Sequence, residues 1–242
     1  MGKTAEEFKI SLGSGENAAE VNVILKNSPR ARNFRASVSG GGCVVLSKPR
    51  WASRRDAVQF LLSVSEWVLA RVRESPEVIR LAEYLEKTPR LSIGGEEWKV
   101  WLRPSRAGSF FVEDASGGEV VFLSGEEGIS KVFKKFAAQK ISALVRKVSE
   151  EAGIGFSRVS VRDQRGRWAS RSSSGTLSFN WRVILLPAEL QNYVVCHELA
   201  HARFMDHSVS FWIFLDRLCP NAKALDRALS KTGKEIFAVD GT

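Results

Sequence analysis

All three histidines of this 242-residue chain fall in one short stretch, Val194–His207, VVCHELAHARFMDH. Nothing else in the sequence restricts the fold as tightly. At 3.6 residues per turn, His197 and His201 lie about 40° apart on one helix face and roughly 6 Å apart along its axis. Two imidazoles so related can share one ion, and Glu198 beside them can hold a water on it. The fold must then supply a helix over this stretch and a turn that brings His207 back. An HExxH pattern also occurs by chance in helices whose His and Glu face solvent. Here it sits in an amphipathic pattern, a third histidine follows, and none is used elsewhere.

The third ligand is weighed separately. His207 follows His201 by the spacing of HExxHxxxxxH zinc sites. Metzincins place a glycine in the middle of that spacer and a methionine later in the chain. This chain has Phe204 there, and its only methionines are Met1 and Met205, so the metzincin pattern is absent. His207 is the favoured ligand, with Asp216 or Asp226 as alternatives. Three protein ligands leave one position on Zn²⁺ open to water, whose pKa the ion brings to about 7. Glu198 is then the general base that takes the water's proton and passes it to the leaving amine.

The neighbouring residues have plainer readings. Tyr193, one turn before His197, either packs in the core or steadies an oxyanion. Arg165, Arg167 and Arg171 either clamp substrate carbonyls or phosphates or are ordinary loop charges. Cys196 reads as a small buried apolar residue, and Trp168 and Trp181 as core or cleft wall.

Composition narrows the setting. With 44% apolar and 26% charged residues the chain reads as a soluble globular protein. Cys43, Cys196 and Cys219 are odd in number and form no CxxC pair, which argues against a disulfide framework and for a reducing cytoplasmic compartment. The first twenty residues lack the apolar core of a signal peptide, and no apolar run is long enough for a membrane span. The net charge of +9 is concentrated. Residues 26–55 carry eight basic residues and no acid, and residues 158–182 carry six arginines against Asp163. Such stretches point to an anionic partner such as nucleic acid, or to solvated surface.

Read in order, residues 1–20 look like a mobile leader. Strands at 21–26, 33–39 and 43–47 suggest an antiparallel meander. Ser53, with Asp56 in the capping-box position, opens a helix, and 77–86 suggests another. Residues 91–103 and 109–123 read as two hairpins, and 129–151 as a long helix stopped by Gly153. The glycines at 125 and 128 suggest a boundary between an N-terminal β-rich region, 21–127, and a metal-binding domain, 128–242. Beyond lie a strand at 159–162, an arginine-rich loop at 163–175 and an extended stretch at 176–186. A motif helix should then run from 188 to about 204, and Ser208 should cap a second, 209–218.

These residues resemble the YgjP-like metallopeptidase family, which is related to the SprT-like zinc proteases. The likeness rests on Asn180-Trp181-Arg182, Pro187, Tyr193–His201, His207-Ser208 and Phe211-Trp212, and extends more weakly to Arg30–Arg35, Pro49 and Trp67. It implies a zincin-like α+β domain with an N-terminal β-rich extension, zinc held by His197, His201 and His207, and Glu198 as catalytic base. One departure stands out. The family has Trp-Gly-Ser-Cys where this chain has Trp168-Ala169-Ser170-Arg171. Alanine narrows the backbone and arginine adds charge in a loop that could shape the cleft. Three functions follow: a zinc peptidase acting on protein or peptide, alone or held near nucleic acid; a nucleic-acid-associated module with structural zinc; or a zinc hydrolase of non-peptide amides or esters.

Overall fold

The computed structural model describes residues 5–29, 31–115, 117–125, 128–164 and 166–241. The chain divides into two compact units, residues 1–78 and 79–242.

The first unit is a four-stranded sheet covered by helices. Its elements are β1 (Glu6–Leu12), β2 (Ala19–Ser28), β3 (Arg35–Val38), β4 (Val44–Pro49), α1 (Arg54–Ser63) and α2 (Ser65–Arg73). Alternation in β2 turns Val21, Val23 and Leu25 inward, where they meet Leu12, Val44 and Leu46. Ala57 and Leu61 of α1 and Val68 and Leu69 of α2 complete this core. The capping box at Ser53 forms: its hydroxyl accepts the Asp56 N–H at 3.1 Å, and the Asp56 carboxylate accepts the Ser53 N–H at 2.8 Å.

Two features depart from the sequence reading. Residues 6–12, read as part of a mobile leader, pair antiparallel with β2 and bury Leu12 completely. Residues 1–4 of that leader lie outside the described residues. The strands after it are not a simple meander either. The sheet order is β1-β2-β4-β3, with β2 and β4 parallel and β3 at the edge. Strand periodicity reports which face is buried and is silent on neighbour order.

The second unit contains β5 (Ile79–Arg80), α3 (Leu81–Lys87), β6 (Arg90–Ile93), β7 (Glu96–Pro104), β8 (Phe110–Glu113), β9 (Glu119–Ser124) and α4 (Ser130–Ala152). It continues with β10 (Arg158–Arg162), β11 (Ala169–Arg171), β12 (Thr176–Asn180), α5 (Ala188–Ala200), α6 (Val209–Leu218), α7 (Ala222–Phe237) and β13 (Val239–Asp240). Its large sheet has the order β6-β7-β9-β8, again with the central pair parallel and a short strand at the edge. The two sheets thus share a strand order that no sequence repeat announces.

Helix α4 lays Phe133 and Phe136 against Phe122 of β9, with ring centroids 5.3 and 5.2 Å apart. It ends at Gly153, whose φ of 64° is the left-handed conformation that glycine adopts without a Cβ clash. The boundary read near residues 125–128 therefore falls inside this unit: the hairpins before it and the helices after it share one core. A third sheet, β10-β12-β11, presents β11 at its edge. Strand β12 stops at Asn180, and 181–185 coil into a 3₁₀ turn rather than extending, because the Asn180 side chain accepts the Arg182 N–H. Among the described residues, no helix is long and apolar enough to cross a membrane.

Candidate metal centre

The site is built on α5, which is buried on nearly every side. The helix ends at Ala200, earlier than the apolar pattern suggested, and the chain turns through residues 201–203. The Nδ1 of His201 lies 2.8 Å from the Phe204 carbonyl oxygen. A carbonyl only accepts, so Nδ1 carries the proton and Nε2 keeps its lone pair. That turn returns the chain toward His207, a task the glycine of a metzincin spacer performs differently.

The three imidazoles converge. One nitrogen from each of His197, His201 and His207 lies within 4.8 Å of the others. The Nε2 atoms of His197 and His207 are 3.0 Å apart. Two ring nitrogens about 2.0 Å from a tetrahedral zinc stand roughly 3.3 Å apart, so the spacing fits a shared ion. Phe211 of α6 is fully buried beneath them, its centroid 5.0, 4.8 and 4.8 Å from the rings of His197, His201 and His207. Burial, then the charges of the other two histidines, lowers the His197 pKa to about 4. Burial also lowers that of His201. Both are neutral at neutral pH, the form that ligates.

Glu198 is 6% exposed, and among the described residues its Oε2 has no hydrogen-bond partner. Burial raises its pKa to about 7, opposed by the Arg171 backbone N–H and by the charges of Arg167 and Arg171. A half-ionised carboxylate with an unused oxygen is poised to take and return a proton. The arginine-rich loop therefore does bear on this group, through the backbone and charge of Arg171. The Arg171 guanidinium itself reaches the Gly155 carbonyl at 3.1 Å. Arg165 lies outside the described residues.

The alternative ligands stay out of the cluster. Asp216 accepts the Ala222 N–H at 3.1 Å, at the start of α7. Asp226 accepts the Tyr193 hydroxyl at 2.9 Å, and that hydroxyl lies 3.3 Å from His197 Nδ1. Tyr193 is buried, as core packing would have it, yet its hydroxyl is bonded at both ends. Burial and the Asp226 carboxylate hold its pKa far above the ordinary phenol range. Cys196 is buried beside Cys219, and among the described residues no disulfide joins any of the three cysteines. Trp168 packs on Phe237 at 4.2 Å, and Trp181 lies edge-on to Phe133.

One residue pair escaped the sequence reading. Arg182 is 7% exposed, donates to the Val239 carbonyl at 2.7 Å and pairs with Asp163 at 2.6 Å, where Lys134 joins at 3.0 Å. Burial pushes the Asp163 pKa up, but the bonds from Arg182 and Lys134 more than offset this and bring it to about 2. Part of the basic excess at 158–182 is thus spent internally. The lone acid in that run was the available clue.

A neutral histidine pair one helical turn apart, a third histidine and a buried carboxylate define the class: a metal-dependent hydrolase. The family model for the YgjP-like metallopeptidase domain matches residues 32–232, and the chain belongs to that family. No curated protein sequence matches the chain. Among solved structures it is similar to the metallopeptidase zymogen of Pyrococcus abyssi abylysin, at 29% identity over 38% of this chain and 95% of that one, with a TM-score of 0.34. It is also similar to the metallopeptidase zymogen of Methanocaldococcus jannaschii jannalysin, at 21% identity over the same shares, with a TM-score of 0.35.

Proposed function

We propose that the chain is a zinc-dependent peptidase in which His197, His201 and His207 hold the metal and Glu198 is the general base. The observation that carries this reading is the buried Oε2 of Glu198, unpartnered among the described residues, on the helix turn between two neutral imidazoles. Zinc held there supplies Lewis acidity for a scissile carbonyl and brings the pKa of water to about 7. The protein supplies the rest. His201 is oriented by the Phe204 carbonyl, and Phe211 keeps water from beneath the rings. Glu198, with a pKa near 7, accepts a proton from the attacking water and returns it to the departing amine. The zincin-like description belongs to the same proposal: the motif helix lies against β11, a short strand at a sheet edge.

The experiment is metal content and cleavage of a denatured protein, wild type against Glu198→Gln. The variant should keep its zinc and lose about 10²- to 10⁴-fold in rate, the usual worth of a positioned base. Unchanged hydrolysis with metal bound would overturn the mechanism. A screen of amide and ester substrates in the same assay distinguishes a peptidase from a hydrolase of smaller compounds. A structural zinc is disfavoured because, among the described residues, no fourth His, Cys, Asp or Glu joins the cluster. Cysteines without a disulfide among the described residues suit a reducing interior, so we place the protein in the cytoplasm.

A nucleic-acid partner is a second reading, favoured by the first unit. Lys26 and Arg35 flank Ser47 in one cross-strand row. Trp51, beside Arg50, is 74% exposed and meets Phe34 edge-on. Cations beside an exposed ring suit a stacked single strand. Binding of a labelled single-stranded oligonucleotide should weaken steeply with salt and fall in Trp51→Ala. Salt-independent binding would count against this reading.

A further inference from the structure

We propose that Asp226 and Tyr193 are positioning residues for His197, acting in series to choose which ring nitrogen faces the metal. The inference rests on the metal-site reading above and adds a part of the site contributed by the C-terminal helix.

The argument begins with donors and acceptors. The Tyr193 hydroxyl has one proton and lies between two groups, Asp226 Oδ1 at 2.9 Å and His197 Nδ1 at 3.3 Å. The hydroxyl donates to the Asp226 oxygen, so its one proton is directed there. What it turns toward His197 is a lone pair. His197 Nδ1 must therefore be the protonated nitrogen, which leaves the lone pair on Nε2. That is the atom 3.0 Å from His207 Nε2. The order Asp226, Tyr193, His197 thus fixes both the tautomer and the ring orientation.

The two helix histidines are set by different means. His201 is set locally, by a carbonyl three residues on. His197 is set from a distance, by a carboxylate on α7 relayed through a phenol one helical turn before it. Packing alone does not ask for this. A phenylalanine at 193 would fill the same buried space, and an acid on α7 could equally have faced solvent. Instead Asp226 is half-buried on the phenol, and it contacts no metal-ligating nitrogen. Ligating histidines commonly donate their second N–H to an outer carboxylate, and loss of that partner weakens metal binding. Here the carboxylate acts through an intervening hydroxyl.

The test uses the full chain and zinc itself. Zinc affinity is measured by competition with a chromogenic chelator for wild type, Tyr193→Phe, Asp226→Asn, the double variant and His201→Ala. In parallel, ¹⁵N NMR of the histidine rings in the metal-free protein reads the His197 tautomer. Each single variant should bind zinc about 10- to 100-fold more weakly. The double variant should be no weaker than the worse single variant, because the two groups form one chain. The His197 ring should move from a single Nδ1–H form to a mixture, a signature that loss of packing would not give. Should Tyr193→Phe fail to fold, Asp226→Asn, at a half-buried position, carries the test through affinity and tautomer. Unchanged zinc affinity in Asp226→Asn, an unchanged tautomer, or additive losses in the double variant would overturn the inference. Wild-type zinc affinity in His201→Ala would instead sink the metal-site reading, and this inference with it.

Discussion

At the scale of single residues, the site depends on side chains whose orientation is set by named neighbours. His201 is held by a backbone carbonyl, His197 by a phenol, and one Glu198 oxygen has no partner among the described residues. Beneath them Phe211 is the common floor, and its loss leaves a cavity against all three rings. Phe211→Ala should cost about 3–5 kcal/mol of stability, measured by urea unfolding of the metal-free protein. It should also weaken zinc binding, while Phe211→Leu, which refills most of the space, should lose less of both. These roles were unevenly legible. Three histidines confined to one stretch announced the centre, because no other residue type in the chain is so sparsely and closely placed. In the sequence alone Tyr193, a tyrosine at helical spacing, reads as core, and Asp226, an acid near a metal motif, reads as a ligand. Only side-chain positions distinguish a carboxylate on the metal from one on a phenol.

At the scale of elements, the end of each segment carries as much as its middle. Ser53 and Gly153 were readable because caps act within a few residues of chain. Gly153→Ala puts a Cβ at a φ of 64° and should destabilise the protein by about 1 kcal/mol, read as a shift in urea midpoint at unchanged slope. The end of β12 is less local. There Arg182 ties β13 and Asp163 to the turn that precedes the motif helix. Asp163 is held near pH 2, below its ordinary 3.8, so its folded form prefers the charged state. The stability it contributes is complete above about pH 4 and is lost as pH falls through about 2. The wild-type urea midpoint should accordingly drop between pH 4 and pH 2 by more than that of Asp163→Asn. Equal drops would show that the pair contributes nothing to acid sensitivity.

At the scale of the whole molecule, metal held at the proposed centre would be linked to the folding of one of the two units. Every residue of the proposed centre lies in residues 79–242, and so does the core around it. A ligand that binds only the folded state stabilises by about 2.7 kcal/mol at a hundredfold excess over its dissociation constant. Zinc should therefore raise amide-exchange protection in α5 and α7 and leave β1–β4 unchanged. Equal protection of both units would mean that they unfold together.

The sequence by itself determined which donor atoms would come together. Donor atoms at i and i+4 on a helix need nothing beyond helical geometry to meet, and a third histidine so near in the chain has a short distance to return. Its cap and stop signals also determined where several helices begin and end. What only the tertiary structure decided is how distant parts combine: a crossed strand order in two sheets, a first strand where a leader was expected, a unit boundary at 78–79, and an aspartate on the C-terminal helix aimed at the first metal-site histidine. The physical reason is range. Periodicity and capping act over a few residues, so the chain displays them. Strand order and outer hydrogen bonds join residues tens of positions apart, and no local pattern records which of them will meet.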